Sequence, residues 1–404
     1  MRRVSATAGQ THTMDARAQP VPPWRRAWLT GLGTWAIAFV SYLMLNAVFY
    51  TMATRNPPPL AEFFNVWSRW DTGHYLYIAT NGYNPASENP AFFPLYPLLM
   101  RIFDPILPGQ MLAAGLIISS VACIIALAVI HRLVEDLFDT EIGQRTAMYL
   151  MASPMAFILV AVYNESLFLA LAVGSLYCMR RGHWWWAGVL AGFSSAARQA
   201  GLLLALAFVI EYLRRRDWQW SRVRPDALAI LLVPTGLIGF MIYDARVLGD
   251  PLKFAHVQEF WGRKLSMPWT GIGGVVHQLD VLMSSPGATP LHPSFVVNLI
   301  DLLTVPVVIA LLVLSLVGRW RLGQQSWYLI AFGSAVFFMV LVAPIGRGLP
   351  PLRGVTRYAL EVLPIFMVLA KMGADRRFDR AYLFLAVALQ AALLIGFFAS
   401  VWLA

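Results

Sequence analysis

Arg69-Trp70-Asp71-Thr72-Gly73-His74-Tyr75, then Asn81-Gly82-Tyr83, then Phe92-Phe93-Pro94-Leu95-Tyr96-Pro97, stand directly behind the first long apolar run of the chain. An acid, an imidazole and several aromatic rings therefore gather where membrane is expected to meet water. A chain this apolar has few carboxylates to place. One set between Trp70 and His74, at the mouth of a helix bundle, marks a candidate reaction centre facing a lipid-borne substrate.

The surrounding composition supports a bilayer setting. The 404 residues are 58% hydrophobic and 13% charged, with a mean hydropathy of +0.61. That is the profile of an all-α polytopic membrane protein, whose helices show apolar side chains to lipid. So few charges could not build a water-facing shell. The net charge of +10 does not point to nucleic acid, because the arginines lie in short clusters between apolar runs. Orientation in the bilayer explains such clusters. Cys123 and Cys178 both fall inside apolar runs and read as small hydrophobes, so neither a disulfide frame nor a metal site is indicated.

Residues 1–24 are polar and aperiodic, which predicts a disordered cytoplasmic tail. The apolar run from 28 to 50 follows Arg25-Arg26 and reaches some 34 Å at about 1.5 Å per residue, a full span rather than a cleaved signal. About eleven membrane segments account for the rest: 28–50, 111–131, 146–162, 164–179, 184–197, 200–213, 226–244, 295–317, 326–344, 355–371 and 380–402. Residues 25–404 then form one transmembrane domain. The fifth and sixth segments lie between Arg180-Arg181 and Arg214-Arg215-Arg216, and some thirty residues are too many for one helix and few for two. They predict a hairpin of short helices turning at 192–201, tolerable only within protein or around a water-filled cavity.

With the amino terminus inside, roughly two-thirds of the 31 Lys and Arg residues fall on the cytoplasmic side, as the positive-inside bias requires. The carboxyl terminus and Asp71 then lie outside. Two external regions, about 51–110 and 245–294, are rich in Pro, Trp and Phe, which suits surface-lying segments with aromatic anchors.

If 66–79 is a surface helix, Asp71, His74 and Tyr75 share one face at i, i+3 and i+4, with Trp67, Trp70 and Tyr77 as interfacial anchors. Asp71 could take a proton from an attacking hydroxyl while His74 orients it or donates to a leaving phosphate. The same Asp beside Arg69 would also serve as a helix cap or ion-pair partner. Tyr163-Asn164-Glu165-Ser166 closes the external end of the third segment, either as a capped turn or as the place where Glu165 holds an acceptor sugar. Arg198 falls at the hairpin turn and should face an anion or a buried acid, because lipid exposure would cost several kcal/mol. Arg347, Arg353 and Arg357 lie on the external side, with Arg357 at a helix start beside Tyr358, and three arginines near a helix amino terminus make either an anion site suited to phosphate or a contact for lipid headgroups. The chain has no Gly-rich phosphate loop, no His-Glu-x-x-His, no Gly-x-Ser-x-Gly and no Asp-x-Asp. A soluble nucleotide donor therefore lacks an obvious binding element, and the donor's leaving group is expected in the bilayer.

The 69–75 run with Ile78-Ala79, Gly82-Tyr83 and 91–97 resembles the PIG-V type mannosyltransferases, multispan glycosyltransferases of the GT-C class. Tyr163-Asn164-Glu165-Ser166-Leu167-Phe168, Ala197-Arg198-Gln199-Ala200-Gly201 and Arg357-Tyr358 with Pro364 are similar too and keep the family's order. The resemblance implies a GT-C-like bundle, a polyprenyl-phosphate sugar donor and inverting transfer on the extracytoplasmic face. Asp71 becomes the counterpart of the family's first-loop acid. On this reading Asp71 and His74 are catalytic, and Arg198, Arg357 and Tyr358 bind the donor phosphate. Arg69, Trp70, Tyr75, Tyr163, Asn164 and Glu165 hold the acceptor or support the site. The sugar is a hexose, most plausibly mannose. The acceptor is a glycan, lipid or protein in a bacterial-type cytoplasmic membrane. No cofactor is expected, and a divalent metal stays open. The rivals are a transporter or flippase of lipid-linked sugars, for which Glu361 and Asp301 speak, and a scaffold subunit.

Overall fold

The computed structural model describes residues 23–56, 59–107, 109–284, 289, 292–346 and 348–401. Most of the expected amino-terminal tail, and Arg347, lie outside the described residues. Among the described residues the regular structure is helical and contains no strand. Six helices are long and apolar enough to cross a bilayer: Pro23–Thr54, Met111–Leu137, Pro225–Leu248, Pro293–Leu316, Gln324–Leu341 and Arg376–Phe398. The other five expected segments are helical but short or interrupted. The third, for instance, is the helix Thr140–Ala152 followed by the 3-10 turn Ala156–Leu159.

Burial explains why interruption is tolerated. Residues 156–163 are all at most 1% exposed, so their irregular backbone lies in protein rather than in lipid. The expected hairpin is present. The helix Trp184–Ala197 ends where Arg198 turns extended, and Gln199–Leu203 leads into Leu204–Arg214.

Local chemistry sets the helix ends. Asp139 accepts from the Ile142 N–H at 2.8 Å and caps Thr140–Ala152. The helix Glu165–Arg181 ends on Gly182, at φ 80°, where a side chain would be strained. Its first turn carries Glu165 and its last Arg180 and Arg181, a charge order that suits the helix dipole. These ends stand roughly 25 Å apart at 1.5 Å per residue.

Several described residues expected on the cytoplasmic side meet at the Arg181 end. Arg26 pairs with Glu135 at 2.7 Å, Arg180 reaches Gln325 at 3.3 Å, and Lys371 donates to the Arg321 carbonyl at 2.7 Å. Described residues expected outside, Asp71, Arg357 and Tyr163 among them, meet at the Glu165 end.

The first external region departs from expectation at its start. The helix begins at Asp71, not at 66, because Trp70 takes φ 52° and breaks the chain from the 3-10 turn Asn65–Trp67. Positive φ in a Trp is strained. Trp67 is not an interfacial anchor. It is fully buried, with its ring 5.3 Å from Phe398 and 6.3 Å from Tyr42 and Phe397. A large aromatic ring gains more from this pocket than from a half-wet interface.

Candidate active site

Asp71 opens the helix Asp71–Asn81, and its neighbours pin that helix to the bundle. Thr72, fully buried, donates to the carbonyls of Trp67 at 3.2 Å and Val162 at 3.3 Å. The Tyr163 hydroxyl donates to the Arg69 carbonyl at 3.3 Å, and Arg69 reaches the Phe398 carbonyl at 3.4 Å. Tyr75 packs edge-on against Phe92 and Tyr96, 5.3 and 5.0 Å away. Burial, assisted by the negative charges of Glu165 and Asp71, pushes its hydroxyl well above the ordinary tyrosine range. Tyr75 therefore stays a neutral phenol and supports the site without titrating.

Asp71 ends a chain of five charges. Its Oδ2 accepts from Arg357 at 2.8 Å, and Arg357 Nε lies 3.1 Å from Glu165 Oε1. That same oxygen accepts from Arg198 at 2.7 Å, and Arg198 also meets Glu361 at 2.8 Å. Three carboxylates and two guanidiniums leave one formal negative charge in excess when all are ionised. Side-chain exposure runs 2% for Glu361, 10% for Arg198, 2% for Glu165, 11% for Arg357 and 20% for Asp71. Asp71 is thus the most accessible of these three carboxylates, and among the described residues its Oδ1 has no donor. The rings of Tyr358 and Tyr163 flank the guanidiniums, Tyr358 at 4.8 Å from Arg198 and Tyr163 at 5.5 Å from Arg357. Cation–π contact stabilises such desolvated cations further.

Distant elements assemble this chain. Asn164 donates to the Ala197 carbonyl at 2.8 Å, which ties the turn before Glu165 to the break that presents Arg198. Arg357 sits in the short helix Val355–Tyr358, entered through Gly354 at φ 81°. Thr356 in that helix donates to Asp301 Oδ1 at 2.7 Å. Asp301 therefore orients the Arg357 turn without joining the charge chain.

Several sequence-based expectations change in detail. Glu165 is 1% exposed, so it is the buried hinge of the network and not a surface contact for a sugar. Arg198 pairs with buried acids, which offset the cost of its own burial. The contacts of His74 go to Phe92, Asn89 and Glu88. Its ring stacks on Phe92 at 4.3 Å and its Nδ1 lies 2.8 Å from Asn89 Oδ1. Two participants were not assigned to the site from sequence. Glu361 stood out only as an isolated acid, and Arg263 lies in the external region that carries no motif. Arg263 donates to the Ala343 carbonyl at 3.1 Å, and its charge acts on Tyr358. Among the described residues it has no carboxylate partner. The neighbouring Trp261 carbonyl accepts from Gly346 at 3.0 Å, which holds this loop over the site. Among the described residues no group of three or more His, Cys, Asp or Glu could hold a metal ion.

Comparison with known proteins adds to this geometry. The family model described as mannosyltransferase (PIG-V) matches residues 59–231. GPI alpha-1,6-mannosyltransferase 2 of Cricetulus griseus is 31% identical over 191 residues, 40% of this chain and 38% of its own length. The Homo sapiens protein of the same name is 30% identical over 146 residues, 34% of this chain and 29% of its own. The chain thus matches less than two-fifths of the length of these curated relatives. ArnT from Cupriavidus metallidurans, in a crystal structure bound to undecaprenyl phosphate, superposes with a TM-score of 0.51 at 12% identity, covering 91% of this chain and 76% of that one. In sequence the chain resembles the PIG-V mannosyltransferases across residues 59–231, and in fold it is a helical protein that shares the arrangement of ArnT.

Proposed function

We propose that this protein is a membrane mannosyltransferase. It moves a mannose from a polyprenyl-phosphate donor to an acceptor hydroxyl on the extracytoplasmic face, with inversion. The observation that carries this reading is Asp71, the accessible end of an otherwise buried charge chain, inside the stretch similar to the PIG-V mannosyltransferases. The fold shared with a protein crystallised with undecaprenyl phosphate supports a lipid-phosphate donor.

The chemistry follows from which groups are free. The acceptor oxygen attacks the anomeric carbon as the bond to the lipid phosphate breaks, through an oxocarbenium-like transition state. Asp71 takes the acceptor proton, and the bonding pair leaves with the phosphate oxygen. Arg357 and Arg198 are committed first to carboxylates, so they fix Asp71 and the local field while keeping further N–H groups. Arg263, which has no carboxylate partner among the described residues and whose charge acts on Tyr358, is the cation this reading assigns to the growing phosphate charge. A preorganised donor of this kind is worth about 3 kcal/mol of barrier. His74, hydrogen-bonded to Asn89, shapes the wall of the site against Phe92.

The flippase reading needs ionisable groups spread along a path through the bilayer. Glu361, one of its two supports, belongs to the same cluster as Asp71, which favours an enzyme. The deciding experiment is radiolabelled mannose transfer from a synthetic polyprenyl phosphate by purified protein. Asp71→Asn is expected to lose transfer by about a hundredfold or more while keeping its melting point and donor binding. Near-normal turnover would rule Asp71 out as base.

A further inference from the structure

The end of the bundle opposite Asp71 carries a feature that transfer chemistry does not use. Two adjoining cavities, about 550 and 690 Å³, share Arg181 and Arg215. Their carboxylates are already paired. Asp136 meets Arg132 at 2.5 Å and Arg181 at 3.4 Å, Asp217 meets Arg222 at 2.6 Å, and Asp226 meets Arg216 at 3.1 Å. Arg180, Arg215 and Arg224 have no carboxylate partner among the described residues. Arg180 reaches only the Asp136 carbonyl and the Gln325 amide oxygen, at 3.4 and 3.3 Å, and Arg215 donates to the Arg180 carbonyl. Burial, with the nearby charges of Arg214, Arg180 and Arg216 and against the opposing charge of Glu211, holds the Arg215 guanidinium below its ordinary range. Like charges crowd here without enough anions.

The positive-inside bias accounts for arginines at this end. It does not account for their convergence from two separate connections, 180–182 and 214–224, around a concavity. The setting also has a depth. Trp185, Trp186, Trp218 and Trp220 stand around it between 49% and 73% exposed, the placement indoles take at headgroup level. We propose that this basic concavity binds the phosphate of an anionic lipid headgroup carrying more than one negative charge. Guanidinium forks suit phosphate oxygens, and basic pockets beside membrane helices take such headgroups. The lipid would relieve the arginine crowding and clamp the ends of Glu165–Arg181 and Leu204–Arg214, both of which lead to the opposite site.

Native mass spectrometry of the purified full chain with phosphatidic acid tests this, with phosphatidylcholine as the neutral control. The wild type is expected to retain phosphatidic acid and to melt higher with it. Arg181→Gln/Arg224→Gln, which removes surface-side arginines and leaves the backbone contacts of Arg180 and Arg215 intact, is expected to bind about tenfold more weakly. Arg180→Gln/Arg215→Gln should lose more. Equal retention by wild type and Arg181→Gln/Arg224→Gln overturns the proposal. So does displacement of the lipid by inorganic phosphate at equal concentration, which would assign the site to a soluble phosphate compound.

Discussion

Arg357 Nη1 lies 2.8 Å from Asp71 Oδ2, joining residues 286 positions apart. Its Nε lies 3.1 Å from Glu165 Oε1. One side chain therefore ties the first external region to the start of the central helix and to the last third of the chain. Removing it leaves two partly or fully buried carboxylates facing each other. Arg357→Ala is expected to cost on the order of 3–5 kcal/mol of stability, the scale for orphaning a buried charge, and to abolish mannose transfer. Arg357→Lys keeps the charge but loses the fork that reaches two carboxylates, so it should fall between. Thermal denaturation in detergent alongside transfer assays checks the order, and an Arg357→Ala protein that melts like wild type refutes the structural role.

Arg198 and Glu361 offer a separate test of the buried end. They meet at 2.8 Å with side-chain exposures of 10% and 2%. Glu361→Gln deletes the surplus negative charge and leaves Arg198 its bond to Glu165, so its penalty should be small. Arg198→Met leaves buried Glu361 without a cation and Glu165 with Arg357 alone, and should be severe. Combining the two should recover part of that loss, with a coupling energy of roughly 0.5–3 kcal/mol for residues in direct contact. Strictly additive melting shifts across the four proteins would mean that the pair does not act as one unit.

What the sequence made legible was local. Apolar periodicity and arginine clusters placed the segments, the hairpin break at Arg198 and the gathering of Asp71, Glu165 and Arg357 at one end, because hydropathy and charge need no knowledge of partners. Pairing does need it. Nothing near Glu361 says that it will meet Arg198, and nothing near Arg263 says that its loop will close over Tyr358. The helix start was misplaced for a related reason. The burial of Trp67 among Tyr42, Phe397 and Phe398 accompanies the backbone turn at Trp70, and none of these partners is near in sequence. Arg198 was open to two readings because a buried guanidinium looks the same in sequence whether its anion is a carboxylate or a phosphate.

Glycine packing positions Arg198 from behind. A Cβ on Gly192 would stand 2.7 Å from the Leu232 carbonyl oxygen, and one on Gly236 would stand 2.2 Å from the Gly192 carbonyl oxygen. Backbone this close cannot yield as a flexible side chain can, so the helix Trp184–Ala197 must move from its neighbour Thr235–Tyr243. Small residues allow such approach between membrane helices. Gly192→Ala or Gly236→Ala should destabilise by about 1–3 kcal/mol, the usual cost of overpacking. Transfer should also drop, although neither residue touches the site. Gly239, whose added Cβ meets nothing within 4 Å, serves as control, and Gly239→Ala should be neutral in melting point and rate. A Gly236→Ala protein with wild-type values in both would show that the close approach does not set the position of Arg198.

Arg263 separates the two jobs a cation can have at this site. Arg198 and Arg357 are held by three acids, so their loss disturbs the fold. Among the described residues the Arg263 side chain hydrogen-bonds to the Ala343 carbonyl and to no carboxylate, and its replacement should leave the melting point nearly unchanged. If it meets the donor phosphate in the ground state, Arg263→Gln raises the donor KM about tenfold with little change in kcat. If it meets mainly the charge that grows as the phosphate leaves, kcat falls by about a hundredfold, the scale for one lost preorganised donor. Because polyprenyl phosphate without sugar carries more charge than the sugar-bearing donor, the variant should also lose product inhibition by that lipid. Steady-state kinetics with and without added polyprenyl phosphate measure all three quantities. Unchanged KM, kcat and product inhibition together would remove Arg263 from the phosphate site and return that role to the free N–H groups of Arg198 and Arg357.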